Sequence, residues 1–424
     1  MNSDQAEPQR LPSRTLGELA LARLGKTPRK SDYRNEGALK IIKFRDILEN
    51  GEIDWDNAEK GFLADEPSAL AGMREVRVGD VLVTASAHMS EHIGKKTAIV
   101  QSIPPRFREA FVVGEVLQIR TKPSVDPRWV LNYMRSRDGY KAIQEKVHGV
   151  HLIASRAREI EIPVAGLDHQ RRIVAEVDKQ FSRLDEAVAN LKHVKANLDR
   201  YVAATLGEAL SGKWTGTEAD WRPVPLREVA DVQLGQQRAP VHAADLNPIP
   251  YIRAANVTWR GLSLGDVKSM GFPNAARYRL AYGDILLAEA SGSANEVGKP
   301  AIWRDEIPGA CYQKTLVRVR CQPNRLNYEF AYYFFLHTCL SGQFARLAPG
   351  VGILHLTAER MLVWPTTAPP LPVQASVVSE IERRLSIVRG VEAEVDANLK
   401  RAGALRQAVL ARAYQTSPAM ESCQ

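Results

Sequence analysis

Cysteine is scarce in this 424-residue chain and occurs only in its second half, at Cys311, Cys321, Cys339 and Cys423. No two of these residues form a Cys-x-x-Cys pair, which argues against a disulfide framework and a structural zinc site and indicates a reducing cytoplasmic compartment. Long apolar runs are also absent: no stretch reaches about 18 apolar residues, and the first twelve residues are polar. The sequence therefore predicts neither a membrane span nor a secretion signal.

The charge balance is basic. The chain has 57 Lys and Arg against 49 Asp and Glu, a formal net charge of +8 and a sequence pI near 9.2. This balance favours a polyanionic partner such as nucleic acid, although a mildly basic housekeeping protein has the same composition. The length fits two domains of roughly 150 residues with connecting helices better than it fits one core.

The sequence repeats itself, and Gln170 and Gln374 lie 204 residues apart in matched segments. The globular parts between the matched segments share little else, so the pattern predicts two duplicated domains whose surfaces have diverged. The remaining matches are Gly-Asp-Val-Leu at 79–82 with Gly-Asp-Ile-Leu at 283–286, Ile-Gly-Lys at 93–95 with Val-Gly-Lys at 297–299, and Gly-Val at 149–150 with Gly-Val at 350–351 after a three-residue slip.

A long amphipathic segment ends each copy of the repeat. Apolar residues recur in steps of three and four from Ile173 to Val202, through Val194, and from Ile381 to Val409, through Leu405. This spacing is typical of a coiled coil, and a helix over 168–211 would be about 66 Å long. We predict an antiparallel coiled coil of the two helices. Its core positions are Val177, Phe181, Leu184, Leu191, Leu198, Ile381, Leu385, Val388, Val395 and Leu399.

The globular parts combine strand patterns, as at 98–100, 110–119 and 315–320, with short helices. The residues 15–24 have a helical pattern, and an aromatic helix around 328–335 is predicted to lie in the core. The predicted fold class is α+β, with two mixed α/β domains in tandem repeat, separated by the two long helices. The predicted bounds are a disordered N-terminus 1–12, a first domain 13–165, a central helix 166–212, a second domain 213–370, a C-terminal helix 371–414 and a tail 415–424.

Two short motifs point to phosphate or metal chemistry. Residues 20–27 match a relaxed phosphate-loop pattern, but such a loop must leave a buried strand and open a helix, and Pro28 follows in a turn. His88, Glu91 and His92 match the His-x-x-Glu-His arrangement of zinc hydrolases, which requires a helix, whereas the counterpart at 292–296 is a glycine-serine loop. A zinc hydrolase that uses His88 and His92 is kept as an alternative, which a metal assay tests.

A third motif is close to that of amino-methyltransferases. Residues 247–251 read Asn-Pro-Ile-Pro-Tyr, and the inserted Ile249 breaks the Asn-Pro-Pro-Tyr geometry that holds a target amine. No glycine-rich cofactor loop accompanies it, because Gly350 and Gly352 are followed by His355 where a third glycine would stand. No coherent acid, base or nucleophile set remains, so the sequence predicts a non-catalytic chain.

Together the repeated segments resemble the specificity subunit of type I restriction–modification enzymes, over about residues 13–414. The likeness rests on the order of these segments along the chain, which is found in both halves. Its parts are the Gln-x-x-Ile/Val-Val-x-Glu start of each long helix at 170–176 and 374–380, the Gly-Asp-Val/Ile-Leu turns, the Ile/Val-Gly-Lys loops, Gly-Lys-Thr-Pro at 25–28 and Pro-Pro-Leu-Pro at 369–372. The first copy departs from the pattern, because Pro-Val-Ala-Gly-Leu at 163–167 replaces the proline-rich lead-in.

The resemblance implies two target recognition domains that each read one half of a bipartite double-stranded DNA sequence. The helices would set the spacing and dock two methyltransferase (M) subunits, and restriction (R) subunits would join them. S-adenosylmethionine, ATP and Mg would bind only to those partners, and this chain would hold no cofactor. A coiled-coil scaffold for protein interaction, without sequence-specific DNA binding, is the alternative, and it predicts no salt-sensitive affinity for DNA.

Candidate DNA contacts are polar residues beside predicted turns. Arg, Asn and Gln are suited to base edges, and Lys and Ser to phosphates, although an ordinary surface role suits each of them equally well. For Trp259 and Trp303, packing is a more common role than stacking on DNA, and Gly79, Asp80, Gly283 and Asp284 are interpreted as turn formers. The candidates are Lys43, Arg45, Ser86, His88, Lys95, Lys96, His148, His151, Arg253, Asn256, Trp259, Arg260, Ser291, Ser293, Asn295, Lys299, Gln313, Lys314 and His355.

Overall fold

The computed structural model describes residues 11–57, 59–215, 221–239, 247–291, 296–347 and 354–415. The predicted tail beyond Gln415, residues 1–10 of the predicted disordered N-terminus, and Gly350-Val351 lie outside these ranges. The chain divides into two compact units. Unit 1 comprises residues 1–191 and 397–424, and unit 2 comprises residues 192–396, so each contains one strand-rich part and a portion of each long helix.

Unit 1 is built on two sheets. A four-stranded antiparallel sheet has the spatial order β2 (Ala20–Leu24), β10 (Val116–Thr121), β7 (Val81–Thr84) and β8 (Thr97–Ile99). A five-stranded sheet has the order β3 (Tyr33–Arg34), β5 (Phe62–Leu63), β4 (Leu39–Ile42), β9 (Glu109–Val112) and β6 (Arg74–Glu75), in which β4 and β9 are parallel. The first strand, β1 (Ser13–Thr15), pairs with β11 (Glu161–Pro163). The helices are α1 (Leu16–Leu19), α2 (Pro67–Leu70), α3 (Pro127–Arg135), α4 (Arg137–Lys146) and α5 (Ala154–Ala157).

Unit 2 repeats the four-stranded sheet with the same order and pairing: β13 (Ala230–Leu234), β22 (Leu316–Cys321), β18 (Ile285–Ala288) and β20 (Pro300–Ile302). Beside it lie a three-stranded sheet, β17 (Lys268–Met270), β14 (Ile249–Ile252) and β21 (Cys311–Tyr312), and three strand pairs. The pairs are β12 (Pro223–Pro225) with β24 (Pro365–Thr367), β15 (Val257–Thr258) with β16 (Gly261–Leu262), and β19 (Ala290–Ser291) with β23 (Leu354–His355). The helices here are α7 (Ala275–Tyr278), α8 (Tyr328–Leu340) and α9 (Ala358–Leu362).

The helix predicted over 15–24 is wrong beyond its first turn. Only Leu16–Leu19 is helical, and Ala20–Leu24 forms the edge strand β2. The residues Ala20 and Ala22 are buried while Leu21 is exposed, which is the two-residue alternation of a strand, and hydrogen bonding to β10 overrides the helical propensity. The aromatic helix is confirmed as a core element, since Phe330 and Phe335 of α8 are fully buried.

Two helices of 43 residues each, α6 (Leu167–Ala209) and α10 (Leu371–Ala413), follow the two strand-rich parts. In unit 2 Lys195 on α6 places its Nζ 2.6 Å from Oδ1 of Asp396 on α10, and Trp214, just beyond α6, lies 4.1 Å from the guanidinium of Arg384. From Lys195 to Trp214 the chain advances along and just past α6, whereas the residues that these two contact go back along α10, from Asp396 to Arg384. The two helices run antiparallel within this unit.

The apolar stripes are buried unequally. Val177, Ile381, Leu385, Val388 and Val395 are buried, while the remaining predicted core positions are half-buried. The stripe prediction is wrong at Val194 and Leu405, whose exposed fractions are 39% and 54%. A straight helix advances 3.6 residues per turn, so a pattern of 3.5 drifts off the contact line. The half-buried core positions are Phe181, Leu184, Leu191, Leu198 and Leu399.

The end of α10 completes the core of unit 1. The hydroxyl of Tyr414 donates to the backbone carbonyl of Trp129 at 2.6 Å, and its ring meets the rings of Trp129 and Tyr133 edge-on at centroid distances of 4.6 and 5.3 Å. Residues from α3 and from the last turn of α10 therefore pack as one cluster. Within the described ranges, no helix is long and apolar enough to cross a membrane.

The repeated Gly-Asp turns are structural in both units. Gly79 and Gly283 have φ of +90° and +85°, a conformation that favours glycine. The buried carboxylate of Asp80 accepts hydrogen bonds from Nε and Nη2 of Arg120 at 2.7 and 2.8 Å, and Asp284 accepts the matching pair from Arg320 at 2.7 Å each. These turns tie β7 to β10 and β18 to β22.

Candidate nucleic-acid interface

A short turn follows the corresponding strands β4 and β14 and carries four of the candidate residues. In unit 1 the backbone N–H of Lys43 donates to Oδ2 of Asp46 at 2.8 Å, and in unit 2 the N–H of Arg253 donates to Oδ1 of Asn256 at 3.1 Å. The two capping side chains are buried. The same local hydrogen bond therefore shapes both turns.

Asn256 is consequently not at the surface, contrary to its selection as a DNA contact. It is 2% exposed, and its Nδ2 donates to the carbonyls of Ser263 at 2.9 Å and Asp266 at 3.1 Å. An amide that is buried and bonded on both sides is unable to reach a base edge without unfolding the turn. Its role is to fix the backbone.

The cations at these turns are engaged by neighbouring groups. Nζ of Lys43 donates to the carbonyl of Glu59 at 2.9 Å, and burial together with the charge of Arg45 lowers the pKa of Lys43. Arg45 pairs with Glu59 at 3.2 Å, and Arg253 pairs with Asp266. DNA would have to compete with these carboxylates for the same guanidinium groups.

A hairpin brings three candidates of unit 1 together. His148 and His151 exchange backbone hydrogen bonds of 2.9 and 3.1 Å around Gly149, and Ser86 pairs with His151 as a bridge between backbones. Oγ of Ser86 lies 2.9 Å from Nδ1 of His151. In unit 2 His355 occupies the same place opposite Ala290, so the position of this histidine is a second shared feature.

The loop between β7 and β8 does not form a metal site. Ser90–His92 is one turn of 3-10 helix that excludes His88, which is exposed, so the two histidines do not share a helix face. Lys95 lies 4.0 Å from Oε1 of Glu91, and Lys96 is half-buried. Across the residues that the structure describes, no group of three or more His, Cys, Asp or Glu is placed to hold a metal ion.

The segment that matched a phosphate loop is committed to the unit 1 core. The N–H of Gly25 donates to the carbonyl of Val116 at 3.0 Å, and that of Lys26 donates to the carbonyl of Val112 at 3.1 Å. A phosphate loop presents such N–H groups to its ligand. These are already bonded, and Nζ of Lys26 donates to the carbonyl of Ala71.

The tip of the β15–β16 hairpin is the most prominent candidate in unit 2. Trp259, one of the candidate DNA contacts, is 44% exposed, whereas Trp303 is buried. Nζ of Lys299 lies 5.5 Å from the centre of the Trp259 ring. Arg260 is largely exposed, and its Nη2 lies 3.4 Å from Oδ2 of Asp396 on α10.

Asp396 anchors this hairpin to the helices. The hydrogen bond from Lys195, followed by the contact with Arg260, lowers the pKa of the Asp396 carboxyl. The aromatic and basic tip is thereby held against α10 within unit 2.

The remaining candidates of unit 2 lie elsewhere. Lys314 is exposed, and the N–H of Gln313 donates to the carbonyl of Ile252 at 2.9 Å. Ser291 ends β19, and Ser293 and Asn295 lie outside the described residues. His355 is exposed, with its Nδ1 2.9 Å from Oε1 of Glu289.

The sequence reasoning missed two exposed arginines. His-Leu-x-Ala-x-Arg occurs at 151–156 and again, 204 residues later, at 355–360. Matching Gly149 with Gly350 requires a three-residue gap in the alignment of the two halves. His151 and His355 align without that gap, so placing it there hid this match. Without that gap, Arg156 and Arg360 stand out as a repeated and exposed pair.

Comparison with solved structures identifies the fold of the chain. No protein-family model matches the chain. A solved structure described as the "structural basis underlying complex assembly and conformational transition of the type I R-M system" aligns with a TM-score of 0.70 over 96% of this chain and 99% of that chain, at 18% identity. The chain therefore has the fold of a type I restriction–modification protein.

The sequence comparisons are more particular. The type I restriction enzyme StySPI specificity subunit of Salmonella potsdam is 22% identical over 406 residues, 91% of this chain and 83% of that protein. The EcoKI specificity subunit of Escherichia coli strain K12 is 21% identical over 267 residues, 60% of this chain and 57% of that protein. The resemblance predicted from the repeated motifs is confirmed: the chain is similar to type I restriction enzyme specificity subunits.

Proposed function

We propose that this chain is the DNA sequence-recognition subunit of a type I restriction–modification complex. Each unit reads one half of a bipartite double-stranded target, and the long helices set the spacing between the halves and dock methyltransferase subunits. The observation that carries the proposal is a duplicated scaffold with unlike surfaces in a chain similar to specificity subunits over nine-tenths of its length.

The unlike surfaces are clearest at the loop that follows the shared turn. In unit 1 the loop between Ile47 and Ile53 carries Glu49 and Glu52, and in unit 2 the β15–β16 tip carries Trp259 and Arg260. Base-edge contacts carry sequence information, whereas phosphate contacts position a protein on the duplex. Two domains with one frame and different tips suit two different half-sites.

The helices supply the spacer. We take α6 and α10 as an antiparallel coiled coil, in which a helix of 43 residues is about 65 Å long. Within unit 2, Tyr201, Ile387 and Val391 are exposed apolar side chains on the paired helices. Such a patch is suited to a partner protein, and we assign it to a methyltransferase subunit.

Catalysis belongs to the partners in this proposal. Methylation with S-adenosylmethionine takes place on the methyltransferase subunits, and cleavage with ATP and Mg on restriction subunits. This chain contributes the choice of sequence.

Methylome sequencing tests the proposal. A host that expresses the cognate methyltransferase subunit is sequenced with and without this chain. Methylated adenines at one split motif, which disappear when the chain is omitted, are the expected result and reveal both half-sites. Unchanged methylation by an active partner would refute the proposal and favour the protein scaffold.

A further inference from the structure

Both units present a histidine and an arginine five positions apart at the same place in the fold. His151 and Arg156 in unit 1 correspond to His355 and Arg360 in unit 2. Each histidine lies opposite a corresponding strand residue, Ser86 or Ala290, and each arginine lies on the short helix that follows, α5 or α9. All four are exposed.

The two imidazole rings are held by the same atom but by different partners. Nδ1 of His151 lies 2.9 Å from the hydroxyl of Ser86, and Nδ1 of His355 lies 2.9 Å from the carboxylate of Glu289. Because Nδ1 is engaged in both cases, Nε2 is the ring nitrogen left for an outside ligand. The two rings therefore occupy the same position, although a hydroxyl holds one and a carboxylate holds the other.

The guanidinium groups of Arg156 and Arg360 differ from those of the arginines at the turns and at the β15–β16 tip. Across the described part of the chain, neither guanidinium has a hydrogen bond or ion pair, whereas Arg45, Arg253 and Arg260 all meet carboxylates. A guanidinium on the short helix that directly follows an oriented imidazole provides, with that imidazole, a donor set suited to an anion with several oxygens.

Packing does not explain why these exposed residues repeat. The leucines between them, Leu152 and Leu356, are buried, and their recurrence follows from the shared core. The exposed tips elsewhere differ between the units. A surface group common to both units is therefore suited to a ligand common to both half-sites, and the phosphate backbone is the part of DNA that does not vary with sequence.

We propose that His151 with Arg156, and His355 with Arg360, each bind a phosphate group of the DNA backbone and hold their unit on the duplex without reading its sequence. The inference rests on the proposed function, since it requires that both units contact DNA.

Equilibrium binding by the full chain in complex with its methyltransferase subunit tests the inference. The probes are two duplexes, one with the motif found by methylome sequencing and one with both half-sites scrambled. His151→Ala and His355→Ala are each expected to weaken binding roughly ten-fold on both duplexes, so that the ratio of affinities is unchanged. Arg156→Gln and Arg360→Gln are each expected to lower the slope of log affinity against log salt by about 0.9.

Arginines without a counterpart provide matched controls. Arg137 is exposed in unit 1 and corresponds to Ser341, and Arg304 is exposed in unit 2 and corresponds to Val100. Arg137→Gln and Arg304→Gln make the same change in charge and are expected to leave the salt slope unchanged. If the control variants lower the salt slope as much as Arg156→Gln and Arg360→Gln do, the effect reflects only the loss of net positive charge. That result would overturn the inference.

Two further outcomes would also overturn it: no loss of affinity in any of the four variants, or a loss confined to the target duplex, which would mean that the pair reads bases. In either case the unmodified complex still prefers the target duplex and the proposed function stands. Absence of that preference in the unmodified complex is the separate failure of the proposed function.

Discussion

A buried glutamine at the start of each long helix bonds that helix to the strand-rich part of its unit, and its removal should be costly. In unit 2 the side chain of Gln374 is fully buried. Its Oε1 accepts the N–H of Asn327 at 2.7 Å, and its Nε2 donates to the carbonyls of Arg325 at 3.0 Å and Pro369 at 2.6 Å. The change Gln374→Leu removes all three hydrogen bonds and leaves their partners without this side chain.

The magnitude follows from the number of partners lost. A buried polar group left unsatisfied costs about 1–3 kcal/mol, and leucine recovers part of this by burying apolar surface, so we expect a net loss of about 3 kcal/mol. Gln170 makes two equivalent bonds in unit 1, from the N–H of Asp126 at 2.9 Å and to the carbonyl of Ala165 at 2.7 Å. For Gln170→Leu we expect about 2 kcal/mol.

Amide hydrogen exchange measures the effect locally, which matters because a chain of two units does not have one free energy of unfolding. In Gln374→Leu the Asn327 amide should exchange about 100-fold faster, together with a lower urea midpoint. Gln374→Glu keeps the acceptor for Asn327 but turns a carboxylate oxygen towards two carbonyls, so it should be at least as damaging.

A matched control is Gln180→Leu, because among the described residues the Gln180 side chain bonds only to Glu176 along α6. This variant is expected to leave both readouts unchanged. Protection of Asn327 and an unchanged urea midpoint in both Gln374 variants would refute the reasoning.

Three further changes probe other parts of the molecule. Asp80→Asn should lower the stability of unit 1 by about 3 kcal/mol, seen as a lower urea midpoint, because it leaves Arg120 without its buried carboxylate. Hydrogen bonds from Arg383 and Arg384 lower the pKa of the partly exposed Glu380 carboxyl from 4.5 to about 2. Any stabilisation that this carboxylate gives is therefore present above pH 4.5 and lost as the pH falls towards 2. A carbon NMR titration should show the low midpoint, raised in Arg383→Gln. Val395→Asp should lower the melting temperature strongly, because it places a charge in the buried seam of the helices.

Each of these predictions has a control. Asp199→Asn removes an exposed carboxylate on α6 and should not change the urea midpoint. Arg401→Gln should leave the titration midpoint of Glu380 where it is. Leu405→Asp lies at an exposed position and should leave the melting temperature nearly unchanged, so equal effects of Val395→Asp and Leu405→Asp would contradict the assigned seam.

The repeated framework could be predicted from the sequence because the residues that repeat are those that the fold requires. Gly79 adopts positive φ, Asp80 is buried beneath an arginine, and Gln170 is bonded on both sides of its amide. Each tolerates few substitutes. The long helices could be predicted for the same reason, since their apolar spacing persists over many turns.

The rest depended on tertiary contacts that a local pattern does not contain. The strand β2 has a helical pattern and is extended because β10 binds it. Asn256 has the character of a surface residue and is buried because Ser263 and Asp266 approach it. At the candidate interface, the repeated histidine was found, but its arginine was hidden by a misplaced gap in the alignment of the two halves.

The division of the chain into units also sets an order for folding during synthesis. Unit 2 is one uninterrupted stretch, residues 192–396, whereas unit 1 joins residues 1–191 to residues 397–424. The ring of Tyr414 covers Trp129 and Tyr133, so the first strand-rich part waits during synthesis for residues beyond 396 before its core closes. Unit 2 is complete earlier. A nascent chain that stops after residue 396 exposes the Trp129 cluster, which chaperones and proteases can distinguish from a finished protein.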